Sequence, residues 1–311
     1  EVATLLQRNI ASRLDAQGRP IPLIAETGGM NAMIVDSSAL TEQVVVDVLA
    51  SAFDSAGQRC SALRVLCLQD EIADHTLKML RGAMAECRMG NPGRLTTDIG
   101  PVIDSEAKAN IERHIQTMRS KGRPVFQAVR ENSEDAREWQ SGTFVAPTLI
   151  ELDDFAELQK EVFGPVLHVV RYNRNQLPEL IEQINASGYG LTLGVHTRID
   201  ETIAQVTGSA HVGNLYVNRN MVGAVVGVQP FGGEGLSGTG PKAGGPLYLY
   251  RLLANRPESA LAVTLARQDA KYPVDAQLKA ALTQPLNALR EWAANRPELQ
   301  ALCTQYGELA Q

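Results

Sequence analysis

The chain has 311 residues, of which 44% are hydrophobic, so it is long enough to bury the core of one large or two ordinary domains. Its formal net charge of −6 and the absence of a Lys/Arg-rich run argue against a nucleic-acid partner. No stretch approaches the ~20 consecutive apolar residues of a membrane helix, and no signal-peptide pattern opens the sequence, so we expect a cytoplasmic protein without a membrane span.

The first half of the sequence alternates strand and helix patterns, which favours an α/β fold. The sequence predicts strands at 31–35, 63–68, 144–150, 166–172, 191–196 and 213–218. It predicts helices at 41–53, 70–88, 104–122, 176–187 and 200–210. An apolar stripe marks the first of these helices, Gly57 is placed to end it, and Asp104 is placed to cap the third.

Residues 222–245 are crowded with Gly and Pro, which indicates an extended loop that approaches something closely. Gly233 to Gly238 satisfies the G-x-G-x-x-G pattern of dinucleotide-binding folds. No clear strand leads into it, however, and Thr239-Gly240-Pro241 forbids the helix that the fingerprint requires, so we interpret the match as coincidental. Beyond Pro257 the composition turns to Ala, Leu and Gln, which indicates a linker into a separate helical element.

The four cysteines stand at 60, 67, 87 and 303 without a C-x-x-C pair, so neither a disulfide framework nor a zinc site is indicated. Cys60 lies in SAGQRCSAL at the junction of a helix and a strand, where a side chain can face a cleft. Arg59 beside it would lower the pKa of its thiol, although a lone cysteine is more often buried packing than a nucleophile. Cys67 and Cys87 fit the packing interpretation, as His168 and His196 fit core or surface roles.

Glu26 precedes the Gly28-Gly29 pair, which permits a tight turn with close backbone approach. A partly desolvated carboxylate at such a turn can act as a general base. By itself, a surface Glu that caps a turn is the more common case.

Taken in order, ETGGMNAMIV, FDSAGQRCSA, KEVFGPVLHVV, GYGLTLGVHT and PFGGEGLSGTG resemble the motif series of the NAD(P)-dependent aldehyde dehydrogenase superfamily over roughly residues 1–250. The resemblance implies an α/β fold, with an aldehyde dehydrogenase-like catalytic domain and a remnant of the dinucleotide-binding domain. It implies that Cys60 is the nucleophile and Glu26 the general base. Cys60 would form a thiohemiacetal and then a thioester, with NAD as hydride acceptor and Glu26 activating the water that releases the acid.

The same resemblance implies cofactor contacts from Glu161 and Phe163, in EVFGP, and from Gly28 at the turn after the general base. Ser61, Ser237 and Gly238 match positions that anchor the substrate carboxylate in the branch acting on glutamate semialdehyde. Phe231 would line the same pocket. A nest of small donors suits a carboxylate well.

AFDSAGQRCSALRVLCLQ, NRNMVGAVVGVQPFGGEGLSGTGPKAGGP and the Ala/Leu-rich tail resemble the pyrroline-5-carboxylate dehydrogenase unit of bifunctional bacterial proline-utilisation proteins. In that case the parent protein carries FAD only on a proline dehydrogenase domain absent from this chain, and it forms a homo-oligomer. Met30 departs from the Lys or Gln expected after the Gly pair. The opening EVA resembles the end of the family's cofactor loop, so we expect the isolated chain to bind NAD weakly or not at all and not to turn over.

The sequence therefore predicts an NAD-binding remnant at 1–57, a catalytic domain at 58–240, a return to an oligomer-contact strand at 241–256 and a helical extension from 257. The expected substrate is a small aldehyde. Two alternatives stay open: an aldehyde dehydrogenase for an aliphatic or succinic semialdehyde, and a non-catalytic scaffold that retains the fold.

Overall fold

A computed structural model describes residues 2–128 and 142–253, together with residues 287, 288, 290, 291 and 294. The chain divides into two units, Glu1–Leu252 and Leu253–Gln311. Nearly all of the predicted helical extension from 257 lies outside the described residues.

The helices of the first unit are α1 (Val2–Ala11), α2 (Thr41–Phe53), α3 (Asp70–Glu86), α4 (Ser105–Ser120), α5 (Leu177–Ala186), α6 (Asp200–Ser209) and α7 (Tyr248–Leu252). The strands are β1 (Ala32–Val35), β2 (Val65–Gln69), β3 (Val125–Gln127), β4 (Thr148–Leu152), β5 (Val166–Tyr172), β6 (Tyr189–Gly190), β7 (Thr192–His196), β8 (Asn214–Val217) and β9 (Glu234–Gly235). None of the helices in the described part of the chain combines the length and apolar character needed to cross a membrane.

Seven strands form one sheet in the order β3-β4-β5-β2-β1-β7-β8, and β3 alone among them runs antiparallel to its neighbour. The central strands β1 and β2 are buried at every position, as expected for a parallel sheet covered on both faces. Since β1, β2, β5 and β7 are parallel, the residues that precede them share one edge of the sheet. We call this the amino edge; Asn31, Arg64, Pro165 and Leu191 stand on it.

Helices α2 and α4 confirm the expected amphipathic patterns. Helix α2 buries Val44, Val45, Val48, Ala52 and Phe53, and each of the valine and phenylalanine side chains contributes roughly 1.5–3 kcal/mol by leaving water. The side chain of Asp104 accepts a hydrogen bond from the backbone N–H of Ala107 at 2.7 Å, so the predicted cap of α4 is confirmed.

The predicted strand 166–172 matches β5, whereas the predicted strand 144–150 begins too early. Pro147 lies within that prediction, and β4 begins after it because proline has no N–H to donate to the ladder. Helix α1 and the short strands β3, β6 and β9 were not predicted.

The expected contact strand within 241–256 is wrong in this structure, since Tyr248–Leu252 is helical. A helix satisfies its backbone groups internally, whereas a strand needs a neighbouring strand. The sheet is continuous across the domain boundary predicted after Gly57, because β1, which precedes this boundary, pairs with β2 and β7, which follow it.

Candidate active site

Cys60 lies in a tight turn at the amino edge, between α2 and β2. A short 3-10 segment, Asp54–Gly57, leads into the turn, and Ser55, Ala56 and Gly57 all have positive φ. A Cβ on Gly57 would overlap the backbone oxygen of Gly164, so glycine is required where these two loops meet. For Ser55 and Ala56 this conformation costs of order 1–3 kcal/mol each, and it persists because the surrounding packing fixes it.

The Asn31 side chain fixes the backbone of the Cys60 turn. Its Nδ2 donates hydrogen bonds to the carbonyl oxygens of Cys60 at 2.7 Å and Ala62 at 2.8 Å. Its Oδ1 accepts one from the backbone N–H of Thr192 at 3.2 Å, and the residue is 2% exposed. This role of Asn31 is not predictable from the sequence, because nothing local to Asn31 shows that β1 is the neighbour of both β2 and β7.

The Cys60 side chain is exposed, yet its surroundings raise the pKa of the thiol. The largest cause is partial removal of the thiol from water, and the carboxylates of Glu161 and Glu26 add to the shift. The backbone N–H groups of Ser61 and Cys60 oppose it by stabilising the thiolate. The expectation that Arg59 lowers the pKa of this thiol is wrong, since Arg59 Nε donates instead to Ser55 Oγ at 3.0 Å.

Glu26 lies beside the Gly-rich loop. It forms a β-bridge with Gly238, and its Oε2 accepts a hydrogen bond from the backbone N–H of Gly233 at 3.4 Å. Desolvation raises the pKa of the Glu26 carboxyl, and the N–H of Gly233 partly offsets the shift. Because the Glu26 carboxylate also raises the pKa of Cys60, the two side chains share one electrostatic environment.

Glu161 is held at the same edge by a buried ion pair. Arg64 Nη2 lies 2.9 Å from Glu161 Oε1, and Arg64 Nε donates to the same oxygen at 3.1 Å. Burial raises the pKa of Glu161, and Arg64 counteracts this rise. Phe163 is 46% exposed, with the Arg64 guanidinium carbon 5.0 Å from its ring centroid.

Gly28 meets the Glu161 carboxylate directly. A Cβ at this position would overlap Glu161 Oε2, and the backbone N–H of Gly29 donates to the same carboxylate. Two residues far apart in sequence, both expected to contact a cofactor, are therefore neighbours in space.

The Gly-rich loop is tied to the segment that carries Glu26. The backbone N–H of Thr27 donates to the Ser237 carbonyl at 3.0 Å, and the N–H of Gly190 donates to Ser237 Oγ at 3.1 Å. Ser237 is fully buried and Ser61 is 5% exposed, so neither hydroxyl lies openly on the surface. Phe231 is half-buried and pairs with Ala243. No helix begins within or directly after Gly233–Gly238, since α7 starts only at Tyr248, so this stretch lacks the helix that the G-x-G-x-x-G fingerprint requires.

Of the residues expected to have structural roles, Cys67, His168 and His196 are buried and Cys87 is half-buried. Cys67 is buried in β2, and Cys87 follows the end of α3. His168 and His196 are each 1% exposed. Within residues 2–128 and 142–253, no group of three His, Cys, Asp or Glu side chains is arranged to hold a metal ion.

The aldehyde dehydrogenase family model matches residues 4–254, and the chain belongs to this family. It has the aldehyde dehydrogenase fold. The chain is 89% identical, over its whole length, to the bifunctional protein PutA of Salmonella typhimurium, of which it spans 24%. It is 36% identical to the 1-pyrroline-5-carboxylate dehydrogenase of Geobacillus kaustophilus, over 73% of this chain and 43% of that protein.

A solved structure of the 1-pyrroline-5-carboxylate dehydrogenase from Thermus with bound NAD is also similar. It matches with a TM-score of 0.71 and 34% identity, covering 80% of this chain and 47% of the Thermus chain. The chain thus spans about a quarter of the PutA relative and less than half of the single-function relatives.

Proposed function

We propose that this chain forms the catalytic part of an NAD-dependent dehydrogenase that oxidises glutamate semialdehyde, which forms from pyrroline-5-carboxylate, to glutamate. The observation that carries the proposal is the electrostatic coupling of the Cys60 thiol with the Glu26 and Glu161 carboxylates at one edge of the sheet. The printed names of the PutA and 1-pyrroline-5-carboxylate dehydrogenase relatives support the choice of substrate.

In the proposed reaction Cys60 Sγ attacks as a thiolate and forms a bond to the aldehyde carbon. The backbone N–H of Cys60 donates to the resulting oxyanion. The oxyanion then re-forms its C=O bond as the C–H bond of the aldehyde carbon breaks and its hydride goes to the acceptor that NAD would supply, which leaves a Cys60 thioester. Glu26 takes a proton from the water that attacks this thioester, the C–S bond breaks, and glutamate and the Cys60 thiolate are released. The raised pKa of Glu26 suits this step, since a general base works best with a pKa near the working pH.

The residues at the amino edge fit the cofactor. Glu161 retains an oxygen, Oε2, that faces Gly28 rather than Arg64, and Phe163 presents an exposed ring that suits packing against an aromatic cofactor. Glu161, Phe163 and Gly28 would hold NAD, which supplies a hydride acceptor when bound.

We propose that Ser61, Ser237, Gly238 and Phe231 form the end of the pocket that receives the substrate carboxylate. Ser237 Oγ is bonded to the N–H of Gly190, and the backbone N–H groups of Ser237 and Thr239 donate to the carbonyls of Glu234 and Ala25, so we propose the N–H of Gly238 as the donor of this loop. Backbone donors arranged in a loop bind carboxylates without needing a charged side chain.

We further propose that activity needs the longer protein. Alone, the chain is expected to bind NAD weakly and not to turn over, and any FAD belongs to a separate proline dehydrogenase domain. Micromolar affinity of the isolated chain for NAD, measured by calorimetry, contradicts this part of the proposal.

The function is tested in the full-length protein by following NADH formation with pyrroline-5-carboxylate, succinic semialdehyde and an aliphatic aldehyde. We expect the highest kcat/KM with pyrroline-5-carboxylate and no activity in Cys60→Ala. Cys87→Ala is the matched control, because this thiol lies at the end of α3, and it should keep full activity. A preference for another aldehyde, or an active Cys60→Ala variant, overturns the proposal.

A further inference from the structure

We infer that Arg64 is a positioning residue that fixes both the Cys60 turn and Glu161, so that nucleophile and cofactor-binding carboxylate keep one relative placement. The inference rests on the proposed function and goes beyond it, since it gives a role to a residue that the proposed reaction does not use.

Arg64 reaches two separate segments of the chain. Its Nη1 donates to the carbonyl oxygens of Gly57 at 2.7 Å and Gly164 at 3.3 Å. Its Nη2 donates to the carbonyl oxygen of Arg59 at 3.1 Å as well as to Glu161. One guanidinium thus joins the turn that carries the nucleophile to the segment that carries Glu161.

The arginine is buried so deeply that these contacts replace its hydration. Its side chain is 2% exposed, and it is among the largest fully buried side chains of the described chain. A buried charge is tolerated only when it is paired and its donors are satisfied. The planar guanidinium of Arg64 donates hydrogen bonds to one carboxylate and three carbonyl groups. The compact ammonium of a lysine cannot donate to both segments with the same geometry.

The backbone of Arg64 is fixed by a histidine pair. The carbonyl oxygen of Arg64 accepts hydrogen bonds from the backbone N–H of His168 at 2.9 Å and from His168 Nδ1 at 3.1 Å. Since a carbonyl only accepts, Nδ1 carries the proton, and His168 Nε2 accepts from His114 Nε2 at 2.8 Å. The chain of hydrogen bonds therefore runs from α4 through β5 to the residue that organises the amino edge.

The test is Arg64→Lys in the full-length protein, with Arg123→Lys as matched control. Arg123 makes a comparable contact, Nε to Glu157 Oε2 at 3.0 Å, in a segment that lies outside the amino edge. For Arg64→Lys we expect the KM for NAD to rise about tenfold or more, because Glu161 loses its fixed partner. Arg123→Lys should leave this KM unchanged.

A double-mutant cycle separates positioning from general destabilisation. If Arg64 acts through Glu161, then Arg64→Lys changes the KM for NAD by less than about twofold in a Glu161→Gln background. Additive effects of the two substitutions overturn the inference. If Arg64→Lys alone does not fold, the comparison of the double variant with Glu161→Gln still decides between these outcomes.

Alkylation of Cys60 by iodoacetamide is the second readout and needs neither NAD nor turnover. In Arg64→Lys the released turn no longer aims the N–H groups of Cys60 and Ser61 at the sulfur, so the pH midpoint of alkylation should move upward. An unchanged midpoint overturns the inference. Loss of aldehyde oxidation in the unsubstituted protein would instead remove the proposed function and leave the alkylation result standing.

Discussion

The two edges of the parallel sheet use polar residues in opposite ways. At the carboxyl edge, formed by residues that follow β1, β7 and β8, Asp36 accepts hydrogen bonds from Ser38 N at 2.8 Å and Ser38 Oγ at 2.6 Å, and one from Thr197 Oγ1. Asn218 exchanges hydrogen bonds with the backbone N–H and carbonyl of Thr197 at 3.0 and 2.9 Å. These groups satisfy one another, as in a structural network.

At the amino edge the polar side chains are held in place but not mutually neutralised. Desolvation raises the pKa of Cys60, Glu26 and Glu161 together, and only Glu161 has a cationic partner, Arg64. Groups with perturbed pKa values that converge in space are typical of active sites. Polarity by itself therefore does not locate the site in this fold; what distinguishes the amino edge is that a thiol and two carboxylates with raised pKa values converge there.

The largest expected effect is that of Cys60→Ser in the full-length protein. A serine hydroxyl gives up its proton far less readily than a thiol, so aldehyde oxidation should fall by about 10³-fold or more. Stability should change by less than about 0.5 kcal/mol, because the side chain is exposed. Steady-state NADH formation and denaturant unfolding check the two halves of this prediction. A large loss of stability would mean that Cys60 has a structural role, like the polar residues of the carboxyl edge.

Glu26→Gln removes the proposed general base and should slow steady-state turnover by about 10²- to 10⁴-fold. Acylation of Cys60 should persist, so a burst of NADH close to one equivalent per site is expected before turnover stops. Rapid-mixing absorbance measures the burst. A variant that loses the burst together with the steady state would show that Glu26 is needed before the thioester forms.

Asp36→Ala tests the carboxyl edge. It leaves the donors of Ser38 and Thr197 without their acceptor in a buried site, and should cost about 3 kcal/mol of the free energy of unfolding. The rate of Cys60 alkylation in the folded protein should stay the same. Urea unfolding and iodoacetamide labelling of the same sample measure both quantities. If Asp36→Ala alters Cys60 labelling without a loss of stability, the two edges do not have separate structural and chemical roles.

The smallest effect concerns His168, which supports the amino edge through Arg64. Burial lowers the pKa of His168 to about 3 from 6.5, so the folded state keeps it neutral. As pH falls below about 6.5, the unfolded chain takes up a proton that the folded chain refuses, and stability is lost by at most about 1.4 kcal/mol per pH unit. His168→Asn should flatten this dependence in urea unfolding between about pH 5 and pH 7.

His75→Asn is the control for this measurement, since His75 is exposed on α3. Equal slopes in His168→Asn and the unsubstituted protein would mean that His168 takes up its proton over the same pH range in the folded and unfolded states, and would remove the assigned hydrogen-bond direction. His114 and His196, whose pKa values burial also lowers, should leave some residual slope in every variant.

Much of the fold was predictable because local patterns encode it. The buried run 166–172 gave β5 with its observed bounds, and the apolar stripe of 41–53 gave α2. The predictions failed where contacts with distant segments determine the secondary structure. The three-residue strand β3 forms by hydrogen-bonding to β4, and residues 248–252 are helical where a strand was expected. The roles of Cys60 and Glu26 came from the order of motifs, since neither residue is distinctive alone.

The sequence by itself determined the α/β class, the residues that carry the proposed chemistry and the resemblance to aldehyde dehydrogenases, because these depend on periodicity and on motif order along the chain. Tertiary structure alone decided that Asn31 bonds the Cys60 turn, that Arg64 pairs with Glu161, that Arg59 bonds Ser55 rather than the thiol, and that Gly28 meets Glu161. The physical reason is that the parallel sheet brings the starts of distant strands to one edge. The contacts made at that edge depend on the order of the strands, which no local sequence pattern predicts.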